Sequence, residues 1–161
     1  MLKIEVKKME KKFLELALKE AEKAMKKGEV PVGAVLVKDG NVISKGYNLR
    51  ISKNNALYHA EVVVIEKACK KLKNWRLDGC VLYTTLEPCI MCAGAIMQAR
   101  IKKVVFLAKD EKAGAVVSKY NLFDDNKLPF KVEYSYVPDE RAEKLLKDFF
   151  KFLRINKRRD V

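Results

Sequence analysis

Residues 80–107, CVLYTTLEPCIMCAGAIMQARIKKVVFL, change pattern twice. Residues 80–84 are a short apolar run of strand character, and residues 103–107 read as a second, buried strand. Between them Pro88 and Cys89 open a helix that reaches about Arg100. Proline suits a first helical turn, where its missing N–H would have no partner. Upstream, the apolar run 34–37, an Asp39-Gly40 turn signal and a second run from Val42 predict a hairpin. Phe13, Leu14, Ala17, Leu18, Ala21, Ala24 and Met25 recur at helical spacing, predicting an amphipathic helix over 10–27 that Gly28 stops. A polar loop at 48–55 leads into a further helix over 59–73. Downstream, the next strand-like run, 131–137, begins too far from Leu107 for a two-residue hairpin. A crossover uses such a length, which predicts some helix within 113–123 and parallel pairing of the last two strands. Residues 139–156 carry Ala142, Leu145, Leu146, Phe149, Phe150 and Leu153 on one helical face. Alternating helices and strands of this kind make a three-layer α/β domain.

The 161 residues are one domain's worth of chain, with no repeat and no linker rich in Pro, Gly or Ser. A content of 49% hydrophobic and 34% charged residues excludes collagen-like and low-complexity chains. No apolar run approaches the ~20 residues of a membrane-spanning helix. The opening MLKIEVKKMEKKFLEL lacks the apolar core of a secretory signal. Four cysteines without such a signal indicate a reducing, cytoplasmic setting in which thiols bind metal or pack in the core. Thirty-four basic residues against twenty-one acidic ones give a net charge of +13, which favours a polyanionic partner, nucleic acid first.

His59-Ala60-Glu61 and Pro88-Cys89-Ile90-Met91-Cys92 carry the chemistry. Cysteines three apart at a helix start can aim both sulfurs at one point, and the helix N-terminus favours thiolate. His59 is the only histidine of the chain. His59, Cys89 and Cys92 would give zinc three protein ligands and leave one position for water, the arrangement of a catalytic site. Glu61, two residues after His59, is then placed to move the proton of that water. A redox Cys-x-x-Cys pair is one competing reading. A structural zinc with Cys69 or Cys80 as fourth ligand is another; otherwise those two thiols are buried. Trp75 is expected to cover a helix end.

His-Ala-Glu followed by Pro-Cys-x-x-Cys, each opening a helix with a strand between, resembles the signature of the zinc deaminases. The chain resembles the cytidine-deaminase-like superfamily and, within it, the tRNA adenosine deaminases that convert wobble adenosine to inosine. The likeness runs from about Phe13 to Arg154. It rests on GEVPVGAVLV at 28–37, Tyr47-Asn48, His59-Ala60-Glu61, YTTLEPCIMCAGAI at 83–96, Arg100-Ile101, KDEKAG at 109–114 and a closing LLKDFFKFLR. It implies a three-layer α/β/α fold with a mixed five-stranded sheet, helices on both faces, and the last two strands parallel. It implies that His59, Cys89 and Cys92 hold one zinc per chain and that Glu61 shuttles protons. Asn48 would bond the target base or its ribose, Val30, Pro31 and Leu86 would line the base pocket, the Ala60 N–H would face the water site, and Asp110 would meet the flanking nucleotide. Leu57-Tyr58 stand before His59 where bacterial members usually carry Thr-Ala. With KNNALYHAE, LPFKV and RAEKLLKDFF, this departure resembles the catalytic subunit of the eukaryotic heterodimer, so homodimer and heterodimer both stay open. Tyr58 either stacks on an anticodon-loop base or packs beside the site.

The C-terminal helix and tail, about 139–161, carry Lys144, Lys147, Lys151, Arg154, Lys157, Arg158 and Arg159, a strip able to meet the phosphates of an anticodon stem. Lys151, Arg154 and the tail after it are the RNA-binding candidates, while Phe149 and Phe150 serve the core. The alternatives are a small-molecule deaminase acting on cytosine, guanine or a nucleoside, a non-catalytic zinc-stabilised RNA-binding subunit, and a purely structural zinc module.

Overall fold

A computed structural model describes residues 2–156, so Lys157, Arg158 and Arg159 lie outside the described residues. Helix α1 (Leu2–Lys26) precedes the hairpin β1 (Gly33–Lys38) and β2 (Asn41–Tyr47). Then α2 (Ala60–Leu72), β3 (Val81–Thr84), α3 (Ile90–Gln98), β4 (Lys103–Phe106), β5 (Glu133–Tyr136) and α4 (Glu140–Ile155) follow. The sheet order is β2-β1-β3-β4-β5, antiparallel across β2-β1-β3 and parallel across β3-β4-β5. This is the expected mixed five-stranded sheet, with its last two strands parallel.

Side chains on successive strand residues leave opposite faces, so each strand feeds two cores. Ala34, Leu36, Leu82, Val104 and Phe106 pack with Ala60, Val64, Ala93 and Ile96 of α2 and α3. Val35, Val37, Tyr83 and Val105 pack with Phe13, Ala17 and Leu18 of α1 and Ala142 of α4. The three layers are therefore α2 and α3, the sheet, and α1 and α4. Gly33 lets α1 lie directly on β1, because a Cβ there would stand 2.2 Å from the Ala17 carbonyl oxygen and 2.4 Å from the Ala21 nitrogen. Asp39 and Gly40 both take positive φ (50° and 76°), the backbone a tight hairpin needs.

Three expectations differ from the structure. Helix α1 begins at Leu2 rather than Glu10, since nothing in residues 2–9 is a Gly or Pro that would stop it. Pro88 lies before the helix, whose N-cap is Cys89. The crossover 107–132 holds one short 3₁₀ turn, Leu122–Asp124, and otherwise turns, because the Glu87 carboxylate rather than a helix ladder captures the N–H groups of 116–118. Trp75 is exposed and flanked by the guanidinium groups of Arg76 and Arg100 at 5.4 and 5.6 Å, and Arg100 itself donates to the Met97 and Gln98 carbonyls at the end of α3. No helix among the described residues is long and apolar enough to cross a membrane.

Candidate metal centre and active-site pocket

The carboxyl end of β3 runs through Thr85, Leu86 and Glu87 into Pro88-Cys89, and the N-terminus of α2 reaches the same end of the sheet. In α/β sheets the crevice beyond the strands' carboxyl ends is where ligands bind. His59 is the N-cap of α2 and Cys89 the N-cap of α3, and neither side chain caps its own helix. Both are thereby free to turn toward each other. His59 Nδ1 lies 3.6 Å from Cys89 Sγ and 3.6 Å from Cys92 Sγ, and the three donor atoms fall within 4.8 Å of one another. Neither Cys69 nor Cys80 belongs to this group. Cys69 Sγ instead donates to the Trp75 carbonyl at 3.7 Å, and Cys80 is buried.

One imidazole and two thiols converging within bonding reach of a common point suit zinc, and three protein donors leave one coordination position open beside the cavity that His59 and Cys89 line. Electrostatics agrees. The Cys92 thiol, with help from the His59 ring, holds Cys89 far down, at about 4, and Cys92 is pushed up in turn. His59 is raised, mainly by its bond to Cys89. Glu61 is buried in the first turn of α2, and that burial pushes its carboxyl up to about 7. A carboxyl balanced near neutrality can both take and give a proton.

His59, Glu61 and Cys89 open on a cavity of about 150 Å³, small against the roughly 300–1,000 Å³ of drug-sized sites. Of the residues expected at the base, Val30, Asn48, Ala60, Leu86 and Asp110 line it. Pro31 is buried and off the wall, where Val32 stands instead. Tyr58 is also off the wall, and its hydroxyl donates to the Glu66 carboxylate at 3.2 Å. Asn48 is locked in place: its Oδ1 accepts from the Arg50 N–H at 3.0 Å and its amide reaches the Val30 carbonyl at 3.5 Å.

The profile of the cytidine and deoxycytidylate deaminase zinc-binding region matches residues 7–108. The chain belongs to that deaminase family. Among this deaminase's relatives, the tRNA-specific adenosine deaminase of Aquifex aeolicus (strain VF5) is 49% identical over 144 residues, 89% of this chain and 95% of that one. A solved tRNA A34 deaminase, described as carrying out A-to-I editing at the wobble position of transfer RNA, superposes with a TM-score of 0.82 at 42% identity, covering 84% of this chain and 99% of that chain. The guanine deaminase of Bacillus subtilis superposes with a TM-score of 0.61 at 32% identity, covering 94% and 96%.

Two features of the deaminase escaped the sequence. The first is a groove of about 930 Å³ between loop 109–113 and α4, which meets the small cavity at Leu86, Asp110 and Ala113. Its far wall is Leu146, Lys147, Phe150, Leu153 and Arg154. Of the RNA-binding candidates, Arg154 lines the groove and Lys151 is exposed but off its lining, while Phe150 faces the groove rather than the core. The second is a pair of buried glutamates, Glu29 and Glu87, each 1% exposed. Glu29 accepts from the Ile51 and Ser52 N–H groups at 3.0 and 2.7 Å and from the Ser52 hydroxyl, fixing the loop that carries Arg50 to the cavity. A lone Glu in sequence gives no sign of such a role, since most are solvated.

Proposed function

We propose that this chain deaminates adenosine to inosine at the wobble position of a tRNA anticodon, as a zinc-dependent hydrolase. The observation that carries the reading is the junction of two spaces: a small cavity on the scale of one base, opening on a long groove fit for a strand. A small-molecule deaminase needs only the first. The groove's cations, Lys109, Lys112, Lys147 and Arg154, suit phosphates, and its apolar floor of Leu86, Leu146 and Phe150 suits unstacked bases. Relatives named for tRNA deamination at 42–49% identity support the same reading over the guanine deaminase at 32%.

In this reading one adenine leaves the anticodon stack and enters between Val30, Asn48 and Leu86. His59, Cys89 and Cys92 would hold one zinc, which would supply the Lewis acidity that makes water a nucleophile near neutral pH. Asn48, fixed by Arg50 and Val30, orients the base or its ribose. Glu61 takes a proton from the water and gives it to the ring nitrogen beside C6, then takes the proton left on the added oxygen and passes it to the departing amine. Ammonia leaves and inosine remains. The walls of Val30, Val32 and Ala60 keep bulk water out. The reducing, cytoplasmic setting expected from the cysteine usage goes with this reading. The chain acts as a homodimer, with exposed apolar Leu57 and Ile90, neighbours of the metal-centre residues in sequence, as the surface to cover. Wobble inosine produced by the chain alone, sedimenting as two copies, is the expected result. Activity only with a second, different chain would overturn the homodimer.

A further inference from the structure

Glu87 is buried and stands between β3 and the metal-centre residues Pro88-Cys89, yet its carboxylate serves another segment. Oε1 accepts from the Asp110 N–H at 3.1 Å and from the Ser118 hydroxyl. Oε2 accepts from three successive N–H groups, Val116 at 3.0 Å, Val117 at 2.8 Å and Ser118 at 3.0 Å. One carboxylate thus closes both ends of loop 109–118. The fit requires Gly114, where a Cβ would stand 2.3 Å from the Glu87 carboxyl carbon. Backbone bonds add to it, from the Glu87 N–H to the Ala108 carbonyl at 2.8 Å and from the Ala115 N–H to the Pro88 carbonyl at 2.9 Å.

The middle of this loop is the shared wall of the two spaces: Asp110 and Ala113 line both the 150 Å³ cavity and the 930 Å³ groove. We propose that Glu87 is a positioning residue for substrate entry: its buried carboxylate fixes loop 109–118 as the wall along which the RNA strand turns from groove into cavity. The inference rests on the RNA reading given above. Glu87 borders the cavity, but the hydrogen bonds of its carboxylate all go to the loop. It acts through the loop, so its loss falls on RNA affinity and leaves the proton chemistry of Glu61 and the metal ligands intact. A neutral amide cannot replace it, because the nitrogen of Gln would face donors on whichever side it lies.

The test uses the full zinc-loaded chain with Glu87→Gln and Glu87→Asp, assayed on an anticodon stem-loop, with amide hydrogen exchange alongside. For Glu87→Gln the expected result is one zinc per chain, exchange at Asp110 and Val116 to Ser118 faster by about tenfold, KM raised by about tenfold and kcat within about twofold. Glu87→Asp, which keeps both oxygens, is expected to recover most of the KM. A merely structural loss would lower the active fraction, hence kcat, with KM unchanged, and that pattern would overturn the proposal. Unchanged exchange or lost zinc would also overturn it. Should Glu87→Gln not fold, Ser118→Ala removes one donor from the loop side and is read by the same exchange and KM shifts. Wild-type chain that turns over free bases but no RNA would sink the RNA reading instead, while exchange would still report whether Glu87 holds the loop.

Discussion

Three donor atoms and one carboxylate divide the labour at residue scale. His59, Cys89 and Cys92 converge because two of them occupy N-caps whose side chains are not spent on capping. Glu61 sits outside that group of three and inside the cavity. Opposite phenotypes are therefore expected. Glu61→Ala keeps its zinc but loses about 10²–10⁴ of its turnover. Cys89→Ala loses the zinc itself, read by metal analysis of the purified chain; full zinc in that variant would show that the ligand set is wrong. The converging trio was legible in the sequence because a single histidine and one Cys-x-x-Cys left little choice. Glu29 and Glu87 were not, because their partners lie 22 to 31 positions away in loops and only the fold brings them near.

Elements meet where the chain permits close approach or supplies charge. Continuous burial in β1, β3 and β4 was readable as apolar runs with their turns. The helix expected within 113–123 comes down to the 3₁₀ turn Leu122–Asp124, because periodicity cannot reveal that Glu87 takes the N–H groups of 116–118. Gly33 is the tightest approach between α1 and the sheet, and Gly33→Ala is expected to destabilise the chain by about 1–3 kcal/mol, measured by denaturant unfolding. A second joint lies between α1 and α4, where Arg141 bonds Glu15 at 2.6 Å and Asp139 at 2.7 Å. Hydrogen bonding to Arg141 lowers both carboxyls below their ordinary values. A lowered carboxylate adds stability above its unfolded pKa of about 4, lost as pH falls through the folded value. Arg141→Leu should thus cost less than about 1 kcal/mol at neutral pH, given solvent screening, and flatten the fall in Tm below about pH 4. An unchanged acid slope would contradict the joint.

Over the whole molecule, +13 of net charge is consistent with a polyanion, but the groove says where one would lie. Lys147 and Arg154 line it, so Lys147→Ala with Arg154→Ala is expected to weaken RNA binding and to reduce its salt slope by about 0.7 for each phosphate no longer neutralised. A weakened affinity with an unreduced slope would place those cations away from phosphate. Charge alone could not have located the groove, since it needs loop 109–113 and α4 side by side, an adjacency set by parallel β4 and β5. The most direct measurement offers the zinc-loaded wild-type chain a tRNA with a wobble adenosine, beside free guanine, cytosine and adenosine, and reads inosine as an A-to-G change on sequencing. The predicted result is inosine at the wobble position alone and no ammonia from the free compounds. Ammonia from a free base without inosine in the RNA would contradict it.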